Sequence, residues 1–225
     1  MAQPQSDDGD SKVPALIIID MQNDFVSGSL PVPDGASIVD TINSLSALPA
    51  FRLKIATRDF HPPDHISFAE THGKPTFSTL TIFHPDDTEK EKGKEQVLWP
   101  VHCVVHTTGV EFVPGLETSQ LDAVIDKGTH PGVESYSAFR DIWGRGVTRL
   151  PDLLKENRVT DVYLVGLAGD YCVRYSAIDS LDFGFRTWVV KDATKSIKDE
   201  EAVFEELEKL GIRCITSEEV QKLFP

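Results

Sequence analysis

The stretch ALIIID, residues 15–20, decides the fold. Five apolar residues, three of them β-branched, run without a break and stop at a carboxylate. The run is too short for a helix and shows no polar alternation, so it reads as a strand covered on both faces, the mark of a parallel sheet. Working outward, the same pattern recurs in FRLKIATRD (51–59), LDAVIDK (121–127), VTDVYLVGL (159–167), RTWVVKD (186–192) and IRCIT (212–216). Helices fit between the strands. Residues 34–48 place Ile38, Ile42, Leu45 and Leu48 on one face, and further helices are expected at 148–157, 171–183 and 199–210. The last has Asp199, Glu200 and Glu201 in its first turn and Gly211 just beyond its end, as dipole and C-cap rules favour. Alternating strands and helices predict an α/β fold with one parallel sheet flanked by helices on both faces.

The chain has 225 residues, which at roughly 150 residues per domain suits a single domain. We expect that domain over 13–225, preceded by a disordered acidic tail at 1–12 and interrupted by an inserted loop at about 72–98. Within this insertion the charged stretch 86–95 reads as exposed. A hydrophobic content of 40% excludes a mostly disordered chain. The net charge of −14 argues against nucleic acid and anionic membranes as partners, since both need a basic face. Three separated cysteines, 103, 172 and 214, make no disulfide framework and suit a reducing compartment. With no basic, apolar leader and no run approaching ~20 apolar residues, the expected location is intracellular, most simply the cytoplasm. The oligomeric state is not readable.

In open parallel sheets, ligands bind beyond the carboxyl ends of the strands. The first strand delivers Asp20, the second Arg58-Asp59-Phe60-His61, the third Asp126-Lys127-Gly128 and the fourth Gly166 to Cys172. Cys172 opens a helix after a glycine-containing turn. There the helix dipole should lower the thiol pKa, and free N–H groups can hold an oxyanion. The competing reading is an inert core cysteine, which Cys103 and Cys214 fit better. Asp20 and Lys127, both ending apolar runs, form a natural buried pair, either structural or, beside a thiol, a base with its electrostatic anchor.

Asp59 and His61, two apart in an extended segment, point the same way and can grip one ion. His65 can reach it from the following loop and His102 from Trp-Pro-Val-His-Cys. Carboxylate oxygen plus imidazole nitrogen suits Zn²⁺, Fe²⁺ or Mn²⁺. Alternatively these are ordinary loop histidines. The prolines at 62 and 63 rule out a zincin-type helix. No P-loop, dinucleotide-binding glycine motif or Gly-x-Ser-x-Gly elbow is present.

Taken in order, Asp20-Met-Gln-Asn-Asp-Phe25, Ala-Thr-Arg-Asp59-Phe-His61, Trp99-Pro-Val-His102-Cys, Asp126-Lys127-Gly and Gly-Leu-Ala168-Gly-Asp-Tyr-Cys172-Val resemble the isochorismatase-like cysteine hydrolases. Within these they are most similar to the nicotinamidase/pyrazinamidase group, over about residues 14–216. The resemblance implies a three-layer α/β/α sandwich with a six-stranded parallel sheet. It implies Cys172 as nucleophile, Asp20 as general base and later acid, and Lys127 as the cation that holds Asp20 and favours the thiolate. Backbone N–H groups of Ala168 and Cys172 would form the oxyanion hole, with the Leu167–Ala168 peptide cis. A divalent metal, zinc in the first instance, would be held by Asp59, His61 and His102, with His65 a fourth ligand or a partner behind them. Phe25, Trp99, Tyr136 and Leu167 would line the substrate site. The implied reaction converts nicotinamide to nicotinate and ammonia through a thioester, in pyridine nucleotide (NAD) salvage. Two other readings stand beside it: an amidohydrolase of the same superfamily acting on a carbamoyl or ureido substrate without metal, and a catalytically silent ligand-binding member. Gly169 departs from the larger residue that many members carry there.

Overall fold

The computed structural model describes residues 12–224, so the expected tail lies almost wholly outside the described residues. Among these, six strands form one parallel sheet: β1 (Pro14–Ile19), β2 (Leu53–Asp59), β5 (Ala123–Lys127), β6 (Asp161–Leu167), β7 (Arg186–Lys195) and β8 (Arg213–Ile215). Every residue of β1 and of β6 is buried, as their unbroken apolar runs require. The order is β5-β2-β1-β6-β7-β8, so the chain first builds outward from β1 in one direction and then restarts beside it in the other. Such a reversal opens a crevice at the carboxyl ends of the two central strands.

Two hydrophobic clusters cover the sheet. Leu16 and Ile18 of β1 face one, with Ile38, Ile42 and Leu45 from the 34–48 region. Ala15, Ile17 and Ile19 face the other, with Leu150 and Leu154 of α3 (Leu150–Glu156) and Phe204 and Leu207 of α5 (Glu200–Lys209). This is the three-layer arrangement expected from the sequence. The first helix is split, a 3₁₀ turn at Gly35–Ile38 leading into α2 (Val39–Ser46). Cys172 sits in a π turn, Gly169–Val173, and only then does α4 (Arg174–Asp182) begin. Three features stand out among those the sequence reading missed. One is the single turn α1 (Asn23–Val26). A second is the hairpin β3 (Thr79–Ile82) and β4 (Lys94–Val97), inside the stretch expected as a loop. The last is α6 (Ser217–Leu223), started by a Thr216/Glu219 capping box. No helix among the described residues is long and apolar enough to cross a membrane.

The crevice depends on how closely β1 and β6 approach. Ile19 pairs with Gly166, whose φ of 112° is open only to glycine, and a Cβ there would overlap the Ile19 carbonyl oxygen. Gly184 has a similar φ of 93° but nothing near its missing Cβ. Gly166→Ala should therefore cost about 3 kcal/mol or more, from clash and backbone together, and Gly184→Ala only about 1 kcal/mol. Urea unfolding checks this; equal losses would contradict it.

Candidate active site

Three strand ends and one turn converge at the reversal point. Asp20 follows β1 with a left-handed backbone (φ 47°), a conformation aspartate tolerates better than most residues. Thr57 of β2 fixes it, its hydroxyl donating to Asp20 Oδ1 at 2.6 Å and accepting from the Asp20 N–H at 3.2 Å. The β2–β5 register sets Asp59 directly beside Lys127. From there the fully buried ammonium donates to Asp59 Oδ1, to the Ser135 carbonyl at 3.3 Å and to Cys172 Sγ at 3.3 Å. Asp20 Oδ2 lies 2.9 Å from the same nitrogen, so the ammonium pairs with both carboxylates at once. A carboxylate oxygen of Asp20 lies within 4.8 Å of the Cys172 sulfur, and both residues are buried.

The electrostatics follow from burial. Burial raises the Asp20 carboxyl above its usual range, and Lys127 opposes this without cancelling it. At Asp59 burial acts the same way, but Lys127, His61 and His102 outweigh it and hold the group below its usual range. Lys127 stays charged because its carboxylate partners overcome the cost of burial. Burial pushes the Cys172 thiol well above the ordinary range, and Lys127 offsets only part of that. This corrects the expectation of a lowered thiol pKa. Cys172 is 5% exposed and lies inside the π turn rather than at a water-facing helix end.

Asp59, His61 and His102 bring one oxygen and two nitrogens within 4.8 Å of one another, all buried. His61 Nδ1 lies 2.8 Å from the Gly128 carbonyl and His102 Nδ1 2.8 Å from the Pro100 carbonyl. Carbonyls only accept, so each Nδ1 carries a proton and each Nε2 faces inward, 3.6 and 3.8 Å from Asp59 Oδ2. Converging acceptors with outer hydrogen bonds fixing the rings form a donor set that fits a divalent cation. Burial drives the His102 pKa down to about 4, which leaves the imidazole neutral. At His61 burial acts in the same direction, but Asp59 prevails and raises the pKa. His65 does not join the set. Its ring nitrogens meet Ser67 Oγ at 2.8 Å and the Val133 carbonyl at 3.2 Å, and its ring stacks 4.0 Å from that of His61.

One small cavity, about 30 Å³, touches both halves, with Asp59 and His102 on one side and Ala168 and Cys172 on another. Phe25, Trp99 and Tyr136 line it, together with Leu30, Glu134, Tyr171 and Ile197, which the sequence reading did not single out. Leu167 is not in the wall; it is fully buried in the core against Gly35. The Leu167–Ala168 peptide is cis. A larger cleft of about 700 Å³ runs along β5 past His130, Arg145 and Arg149, but Cys172, His61 and His102 are not part of it.

The supporting residues also went unread. Gln22 clamps the Asp59 backbone, accepting from its N–H at 2.8 Å and donating to its carbonyl at 2.8 Å. Asp24 accepts from the Cys103 N–H at 2.7 Å and so anchors the loop beside His102. Their signal was present in the alternation Asp20, Gln22, Asp24, each polar residue serving a different part of the site.

The chain matches the family model described as Isochorismatase domain over residues 14–219. It is 38% identical over 202 residues to a nicotinamidase of Saccharomyces cerevisiae, covering 86% of this chain and 93% of that one. A solved nicotinamidase/pyrazinamidase of Acinetobacter superposes with a TM-score of 0.85 at 37% identity, over 93% and 99% of the two chains. The pyrazinamidase of Pyrococcus horikoshii, solved in complex with zinc, gives 0.70 at 38% identity, over 90% and 98%.

A buried neutral thiol makes a testable difference. In the metal-free protein, alkylation of Cys172 by iodoacetamide should be slow at neutral pH and still climbing above pH ~8.5, the ordinary thiol midpoint. A rate already level between pH ~6 and ~8 would reveal a resident thiolate and contradict this reading.

Proposed function

The chain belongs to the isochorismatase domain family, and we propose that it is a metal-dependent nicotinamidase that converts nicotinamide to nicotinate and ammonia through a thioester on Cys172. One observation carries the proposal: a single cavity is lined by Cys172 and by Asp59 and His102, and behind its wall the Lys127 ammonium joins Asp20 and Cys172 to Asp59. The first cluster suits acyl transfer. The second suits a ligand that carries a basic ring nitrogen as well as a carboxamide.

Each residue has a step. Cys172 passes its proton to Asp20 Oδ2 as the sulfur attacks the carboxamide carbon, and Lys127 stabilises the negative charge that grows on sulfur. The oxygen of the tetrahedral intermediate is held by the N–H groups of Ala168 and Cys172. Asp20 returns the proton to the leaving nitrogen, the C–N bond breaks and ammonia departs. Water then attacks the thioester while Asp20 takes its proton. The C–S bond breaks and Asp20 reprotonates the sulfur. The raised Asp20 and Cys172 pKa values suit this exchange, because the proton moves between two groups that both resist charge. Asp59, His61 and His102 would hold the metal, and a bound zinc would supply a Lewis acid for the pyridine nitrogen and so orient the ring. Phe25, Trp99 and Tyr136 enclose the ring faces, and His65 backs His61. The product would feed pyridine nucleotide salvage.

Ammonia release from nicotinamide should fall on chelation and return with added zinc. Cys172→Ala should lose at least about 10⁴ in kcat while nicotinamide still binds, and Asp20→Asn should be similarly inactive. Near-normal turnover by Cys172→Ala would end the proposal. Activity indifferent to chelation, with metal confirmed absent, would remove the metal from it.

A further inference from the structure

The cavity at Cys172, about 30 Å³, is several-fold smaller than the ~150 Å³ void that holds a benzene ring. A six-membered ring can reach the sulfur only if part of the wall moves. Most of the wall is anchored by packing or by rigid elements. Phe25 and Trp99 are buried in the main cluster, and Tyr136 is held by Gln96 and Trp99, which donate to its hydroxyl at 2.7 and 3.1 Å. Ile197 is half-buried, as Tyr136 and Tyr171 are, but it alone among the lining residues comes from the loop between β7 and α5.

What holds that loop inward is Asp170, two residues before the nucleophile. Its Oδ1 accepts from the Ile197 N–H at 3.0 Å and its Oδ2 from the Lys198 N–H at 3.1 Å. Both carboxylate oxygens are thus spent on the backbone of one wall segment. The approach is close enough that a Cβ at Gly169 would overlap Ser196 Oγ, so the glycine allows the nucleophile turn to lie against this loop.

We infer that Asp170 is a positioning residue that latches Ile197 into the cavity wall and thereby sets how large a molecule can reach Cys172. The inference takes from the proposed function only that Cys172 is the reacting group. Charge-assisted hydrogen bonds from two adjacent amides favour the closed wall; breaking them shifts the wall toward open and relaxes discrimination by size.

The test reads the sulfur rather than turnover, so it stands whether or not nicotinamide is the substrate. Full-length protein is alkylated with iodoacetamide, which is small, or N-ethylmaleimide, which carries a ring. Rates at Cys172 and, as reference, at half-buried Cys214 are followed by peptide mass spectrometry. Asp170→Ala should raise the maleimide-to-iodoacetamide rate ratio at Cys172 by about tenfold or more, with no change at Cys214. Asp170→Asn, which keeps one acceptor and the shape, should fall between, and guards against misfolding of the alanine variant. Ile197→Ala should raise the ratio as well, and the Asp170→Ala/Ile197→Ala double variant should add little to either. A ratio unchanged in folded Asp170→Asn and Asp170→Ala, or full additivity in the double variant, would overturn the inference.

Discussion

The ammonium of Lys127 sits without solvent among two carboxylates and a thiol. A buried cation is costly unless its partners are close and well directed, and the fold is arranged to supply them. The β2–β5 register brings Asp59 alongside, the end of β1 brings Asp20, and the turn after β6 brings Cys172. Lys127 is paired with Asp20 and Asp59 and lies 3.3 Å from the thiol, so it holds the Asp20 carboxylate beside Cys172. The general base of the proposed reaction is that buried carboxylate.

The same ammonium joins the two halves of the site. Asp59 gives one oxygen to Lys127 and turns the other toward His61 and His102. Placement of the donor set is therefore tied to placement of the thiol, and neither half can shift alone. Gln22 reinforces the link by fixing the Asp59 backbone from the segment that carries Asp20. A mechanism that must hold one end of a small ring and attack a carboxamide at the other needs this kind of fixed spacing.

Much of this was legible in the sequence because the two central strands are buried throughout and the strands at the site end in reactive residues. ALIIID, LDAVIDK and VTDVYLVGL announce both the sheet and the residues at its rim. Asp59 and His61 could be paired from strand alternation alone, and the order of motifs supplied the family. Other features depend on tertiary contacts that leave no periodic trace. The hairpin β3–β4 has only four residues in each strand and encloses a charged stretch, so it read as a loop. Leu167 was placed at the site because it adjoins Ala168, but its side chain turns into the core. His65 could be read only as a fourth ligand or a partner behind the ligands, and the choice is tertiary: Ser67 and Val133 engage both its nitrogens while its ring stacks on that of His61. The thiol pKa failed for a related reason: a helix start is visible in sequence, and depth of burial is not.

The central claim is that the acyl group passes through Cys172 Sγ. Acid quenching during turnover of nicotinamide, followed by mass spectrometry of the peptide that carries Cys172, tests it directly. The account predicts a nicotinoyl group on that cysteine that hydroxylamine removes. Sustained ammonia release with Cys172 unmodified at every quench time, including under hydroxylamine-free conditions that slow hydrolysis of a thioester, would contradict it.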